Sequence, residues 1–256
     1  MSIPIRIGLL PPRFIMPLVV ALAVVLISAD SRPAAGQDDG SHVNEFSQDI
    51  ENLEQMDAAN PPPKGAILFT GSSIFVQWKE LRLQMDPLPV FNRAFGGSRT
   101  WELLHYIDRV VLPYKPAVIV CYCGSNDINA GEPPLQISQR IRRFAEAVHT
   151  SLPKTRIVYV SIIKAPQKMS HWDFVEKTNR EISDFCTATN YMTYVDVNRM
   201  FFKKLGQPRM EVFQPDGLHL IPAAYDELTV LVRPAVEKAW KAVSREAGKK
   251  SQRELR

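Results

Sequence analysis

Residues Ile67 to Thr70 favour an extended chain, and they end in Gly71-Ser72-Ser73 before an apolar pattern resumes at helical spacing. A hydroxyl in that position has two readings. It caps the helix that follows, with Gly71 turning the corner, or it is a nucleophile held at the exposed end of a strand. Three later stretches bear on the choice. NRAFGGSRT (92–100) holds the adjacent glycines Gly96 and Gly97, and CGSNDINAG (123–131) holds Gly124, Asn126 and Asp127. QPDGLHL (214–220) places Asp216 and His219 three residues apart in a turn-rich stretch.

Hydroxyl, glycine amide, carboxamide, carboxylate and imidazole are together what acyl transfer needs. A serine hydroxyl attacks poorly until a base takes its proton, and an imidazole, which ordinarily titrates near pH ~6.5, suits that task. The imidazole needs a carboxylate on its other nitrogen to hold one tautomer. Charge developing on the substrate oxygen needs fixed donors, which backbone amides or an uncharged carboxamide supply. Glycine lets backbone approach a ligand closely.

Each residue also has a plainer structural role. Gly97 serves a turn, Asn126 an Asx-type brace, His219 the surface. Asp127 is either a loop brace or a substrate contact, and Arg99 either a solvated loop arginine or a partner for a substrate acid. Rival chemistries lack their patterns. There is no G-x-S-x-G elbow, no H-E-x-x-H and no G-x-G-x-x-G. His105 follows Glu102 in E-x-x-H spacing, without the second copy and extra glutamates that a di-iron site requires. Ser161–Lys164 fits S-x-x-K, but no K-T-G follows, and the match is taken as chance.

The elements that must position these groups alternate. Apolar spacing over 43–56 predicts an amphipathic helix, stopped by NPPPKG. Strands are expected at AILFT, PVFN, AVIVCYC, RIVYVSI and MTYVDV. Helices are expected through IFVQWKELRLQ, 100–111, PLQISQRIRRFAEAVHTSL, 172–189 and 222–243, with Pro234 as a candidate kink. AVIVCYC is nearly all apolar, as in a strand buried on both faces. Such βα alternation implies a parallel sheet with helices on both faces, because parallel strands need crossovers. Ligands bind outside the carboxyl ends of such strands, where the loops after Thr70, Asn92 and Cys123 lie.

With 256 residues, 45% of them hydrophobic, the chain suffices for one domain with a substantial core. The organisation expected is an export signal over 1–36, a helix and proline-rich linker over 37–64, the main domain over 65–243 and a basic, disordered tail over 244–256. Arg6 and Arg13 precede the apolar run FIMPLVVALAVVLISA (14–29), and small residues follow it. A cleaved signal is favoured over a retained anchor, since the run is short for a bilayer span and Pro17 interrupts it. The expected location is therefore periplasmic or secreted, with membrane contact only through an uncleaved 14–29. The net charge of +4 leans on the two termini and gathers no nucleic-acid footprint. Cys121, Cys123 and Cys186 form no C-x-x-C pair and read as small buried residues.

These four blocks, in this order, resemble the SGNH or GDSL-like hydrolase superfamily over about residues 43–240. NPPPKGAILFTGSSIFVQW, NRAFGGSRT, VLPYKPAVIV and DGLHL are similar to the bacterial GDSL-like esterases of this length. The resemblance implies a flavodoxin-like α/β/α sandwich on a five-stranded parallel sheet. It implies Ser73 as nucleophile, His219 as base and Asp216 as its orienting carboxylate. The Ser73 N–H, the Gly97 N–H and the Asn126 amide become the oxyanion donors. Ser72 departs from the common pattern, where many members carry aspartate. No metal or organic cofactor is implied. The expected function is an exported serine esterase acting on short acyl esters, acetyl groups on a carbohydrate above all. An O-acyltransferase with the same groups and a non-catalytic envelope or glycan-binding module are the alternatives. Trp78, Trp101 and Trp172 are candidate sugar-stacking rings, with buried core the stronger expectation for the first two.

Overall fold

Val118–Tyr122 (β3) is buried at every position, and its neighbours in the sheet explain why. It lies at the centre of five parallel strands, between Ile67–Gly71 (β1) and Arg156–Val160 (β4). Val90–Asn92 (β2) flanks β1 and Met192–Val195 (β5) flanks β4, giving the order β2-β1-β3-β4-β5 in this computed structural model, which describes residues 43–254. Side chains alternate strictly across the pleat. Ile67, Phe69, Val118, Val120, Tyr122, Val158 and Val160 enter one core, while Leu68, Ile119, Cys121, Ile157 and Tyr159 enter the other.

Helices cover both faces. On the first lie Ser73–Val76 (α2), Leu81–Gln84 (α3) and Ala224–Glu254 (α9), the last burying Ala224, Leu228, Val232 and Val236. On the second lie Ser47–Ala59 (α1), Thr100–His105 (α4), Ile107–Val110 (α5), Pro134–Ser151 (α7) and Trp172–Ala188 (α8). Ser125–Asn129 (α6) is a single turn after β3. Spacing of three and four residues puts Ile137, Ile141, Phe144 and Val148 of α7 on one buried stripe. The expected three-layer α/β/α fold is observed.

Three local expectations are corrected. The helix expected through IFVQWKELRLQ is two short helices, because the chain between them turns Trp78 inward against Phe69, Phe75 and Tyr225. The helix over 100–111 is interrupted at Tyr106, whose ring packs edge-on against Phe95. The last helix does not give way to a disordered tail at 244; it continues to Glu254 through Pro234, over Ala, Lys, Gln, Arg and Glu residues that favour helix. The segment α1 is also more than a linker's neighbour, since Phe46 and Ile50 are buried in the second core. All three cysteines are buried and unbridged. The expected export signal lies outside the described residues, and no helix among the described residues is long and apolar enough to cross a membrane.

Candidate active site

The strand order reverses at β1, with β2 on one side and β3 on the other, so the loops leaving their carboxyl ends diverge and open a crevice. β1 ends at Gly71, whose φ of +122° and close approach to the Tyr122 carbonyl leave no room for a side chain. The next residue, Ser72, donates its N–H to Tyr122 O at 2.9 Å and buries its hydroxyl without a hydrogen-bond partner among the described residues. It sits at the N-cap of α2 but makes no side-chain capping bond. Ser73 is the serine that emerges.

Its hydroxyl lies 2.9 Å from His219 Nε2, across 146 positions of sequence. The other ring nitrogen, Nδ1, is 2.6 Å from Asp216 Oδ2. Asp216 Oδ1 accepts the N–H groups of Leu218 and His219 at 2.9 and 3.0 Å, an Asx-type turn that fixes the carboxylate beside the ring. Burial works against ionisation of Asp216, but the hydrogen bonds from the His219 side chain and these two amides outweigh it and pull the carboxyl down to about 2. The turn itself is held from two sides. Gln214 Nε2 donates to Gln77 Oε1 at 2.8 Å, and Gln167 N–H donates to Gly217 O at 3.0 Å.

The second and third loops meet the first at Ser98. The Ser98 hydroxyl donates to Gly71 O at 3.2 Å, and its carbonyl accepts one N–H of Asn126 Nδ2 at 2.9 Å. Among the described residues Asn126 therefore keeps a second side-chain N–H free to donate. Gly97, one residue before this junction, is exposed with φ +82°. The backbone N–H groups of Ser73 and Gly97 have no hydrogen-bond acceptor among the described residues. Together with the Asn126 amide they are donors left unpaired, among the described residues, on the loops that follow β1, β2 and β3. The sequence did not single out Ser98 or Thr100 as organising residues; their place in GGSRT, beside the glycine pair, is the only local signal.

Asp127 requires a correction. It is fully buried, both carboxylate oxygens accept Thr100 N–H at 3.0 Å, and Thr100 Oγ1 also donates to it, so it faces the protein and not a substrate. Burial raises its carboxyl, which the Thr100 bonds and Arg140 only partly offset, leaving it at about 6. Arg99 is likewise engaged within the protein. Its Nε and Nη2 donate to Glu102 Oε1 at 3.2 Å, and its guanidinium lies over the Trp101 ring. The S-x-x-K match dissolves into the fold: the buried Ser161 hydroxyl accepts Val197 N–H at 3.0 Å, and Lys164 pairs with Glu176. Trp78 is core, whereas Trp101 and Trp172 are half-buried.

Comparison with known proteins follows the same outline. The sequence profile described as the GDSL-like Lipase/Acylhydrolase family matches residues 70–227. Among solved structures, a GDSL-like lipase from Bacteroides thetaiotaomicron VPI-5482 is similar over 74% of this chain and 98% of its own, at 20% identity and a TM-score of 0.64. A mutant acetyl esterase with an acetate ion aligns over 70% of this chain and 99% of its own, at 16% identity and a TM-score of 0.55. A carbohydrate esterase family 3 protein from Talaromyces cellulolyticus covers 69% and 98%, also at 16% identity and 0.55. At these identities the structural likeness speaks for the fold. No curated protein sequence matches the chain.

Proposed function

This chain belongs to the GDSL-like lipase/acylhydrolase family and is a hydrolase, and on that premise we propose that it is a serine esterase in which Ser73, His219 and Asp216 are the catalytic triad. The observation that carries the reading is the unbroken relay from Asp216 Oδ2 through His219 to Ser73 Oγ, at 2.6 and 2.9 Å. With Nδ1–H donated to the carboxylate, Nε2 presents its lone pair to the serine hydroxyl. As Ser73 Oγ attacks an ester carbonyl, its proton passes to Nε2. The imidazolium so formed is stabilised by the ionised Asp216. Negative charge on the carbonyl oxygen is met by the N–H groups of Ser73 and Gly97 and the free N–H of Asn126. His219 then gives its proton to the leaving alcohol, and a water activated by the same nitrogen releases the acyl group from Ser73.

The substrate we propose is a short acyl ester, an acetyl group on a carbohydrate or similar alcohol. No long apolar lid segment is visible in the sequence, and the fold neighbours include proteins described as an acetyl esterase and a carbohydrate esterase. Export belongs to the proposal as well, on the basic start and apolar run of the first 36 residues. The test is fluorophosphonate labelling with p-nitrophenyl acetate turnover for the wild type and Ser73→Ala. Label on Ser73 and turnover in the wild type, both lost in the variant, support the reading; equal rates overturn it. Efficient acyl transfer to an added sugar in place of hydrolysis would favour an acyltransferase.

A further inference from the structure

The family match begins at residue 70, yet one side of the oxyanion loop is built by a residue that precedes it. Gly97 stands next to Gly96 in an exposed turn, with a positive φ and no side chain to hold it. Nothing lies within 4 Å of where a Cβ on Gly96 would stand. At Gly97 the atoms within 4 Å of the corresponding point belong to a single side chain, the ring of Phe46, at 3.7 and 3.8 Å. Phe46 ends the 3-10 turn Val43–Phe46 that leads into α1, and it is 6% exposed.

The ring is itself held firmly. It meets Phe95 edge-on at 5.3 Å between centroids, and Phe95 meets Tyr106 in the same way at 6.0 Å. Ser47, the next residue, has its hydroxyl 3.4 Å from that of Tyr106. Further along α1, Ile50 is fully buried and Glu54 takes both Nε and Nη2 of Arg109 at 2.7 Å. A glycine pair loses more conformational freedom on ordering than any other dipeptide. A rigid ring that faces Gly97 across the space of one Cβ, and that packs on Phe95 two residues before it, restricts the alternatives that would turn the Gly97 amide away.

We propose that Phe46 is a positioning residue of the active site: packed on Phe95 and facing Gly97, it lets the N-terminal segment hold the oxyanion loop in its competent conformation. The inference rests on the oxyanion role of Gly97 proposed above. It acts on the transition state and not on ground-state binding, so its loss should appear in kcat while KM stays.

The experiment compares Phe46→Ala, Phe46→Leu and Ile50→Ala in the full chain. Ile50 sits four residues further on, in α1, and is fully buried, but none of its atoms is among those beside Gly97, so it reports what destabilising α1 does by itself. Melting temperature, kcat and KM on p-nitrophenyl acetate, and the rate of fluorophosphonate labelling are measured for each. Phe46→Ala should lower kcat and labelling by about 10- to 100-fold at unchanged KM, the scale of a small misplacement of a catalytic group. Phe46→Leu should lie between it and the wild type, and it carries the test if the alanine variant does not fold. Ile50→Ala should melt lower and keep its kcat. Wild-type kcat in folded Phe46→Ala, or an equal kcat loss in Ile50→Ala, overturns the proposal. An inactive wild type would instead strike at the esterase reading.

Discussion

At the scale of single residues, adjacent positions here have opposite duties, and burial separates them. Ser72 and Ser73 differ by one position, but only the second reaches His219. Asn126 and Asp127 are equally adjacent: the amide reaches Ser98 and keeps a donor free, while the carboxylate is buried against Thr100. The sequence showed the residue types and their order, and the D-x-x-H turn was legible because its hydrogen bonds are local. It did not show that Asp127 points inward, since that depends on Thr100, 27 positions away. The buried carboxyl has a thermodynamic signature. In the unfolded chain it loses its proton near pH 3.8, whereas in the folded protein it holds it to about 6. Between those values the native state binds the extra proton, so this group's contribution to stability falls as pH rises. Denaturant titrations at pH 4 and pH 7 should therefore find the wild type losing ~2 kcal/mol relative to Asp127→Asn over that interval. A constant difference would mean that the carboxyl ionises normally.

The elements do their work through the places where they stop. Strands were legible from apolar runs, and β3 could be read as doubly buried before any neighbour was known. Helix interruptions were not, because the turn at 77–80 and the break at Tyr106 serve aromatic contacts that spacing alone does not encode. β1 ends where it does because Gly71 still pairs with Tyr122 of β3 while the chain lifts out of the sheet. A Cβ on Gly71 would sit 1.9 Å from Tyr122 O, a backbone atom that cannot move aside without unpairing the strand. Gly71→Ala should thus cost more than about 4 kcal/mol, enough to deplete folded protein. Gly96→Ala, in open space and at an ordinary φ, should stay within about 0.5 kcal/mol. Melting curves for the pair check both, and a well-folded Gly71→Ala would show that the strand end is looser than its geometry.

For the molecule as a whole, βα alternation required a parallel sheet between helical layers, but alternation does not dictate strand order, and the flavodoxin-like arrangement expected came from the family resemblance. The part least legible in sequence was the membership of α1 in the body of the fold, which rests on pairings between distant positions. The described residues belong to one compact unit, and α1 is bound into it by more than apolar burial. Arg93, 8% exposed and one residue past β2, directs Nε and Nη2 at the carboxylate of Asp57 near the end of α1. Tyr114 donates its hydroxyl to the same carboxylate, and the guanidinium lies over the rings of Phe91 and Tyr114. Burial opposes the charge on Arg93, and Asp57 more than compensates. Removing the carboxylate leaves a largely buried cation without its counter-charge, whereas removing both partners leaves an apolar contact. Asp57→Ala should accordingly destabilise the protein by about 3–5 kcal/mol, and Asp57→Ala with Arg93→Met should be more stable than Asp57→Ala alone. Equilibrium unfolding of the two variants and the wild type closes this comparison. A cost below about 1 kcal/mol for Asp57→Ala would mean that the pair behaves as a surface salt bridge, and that α1 is held by Ile50 and Phe46 without it.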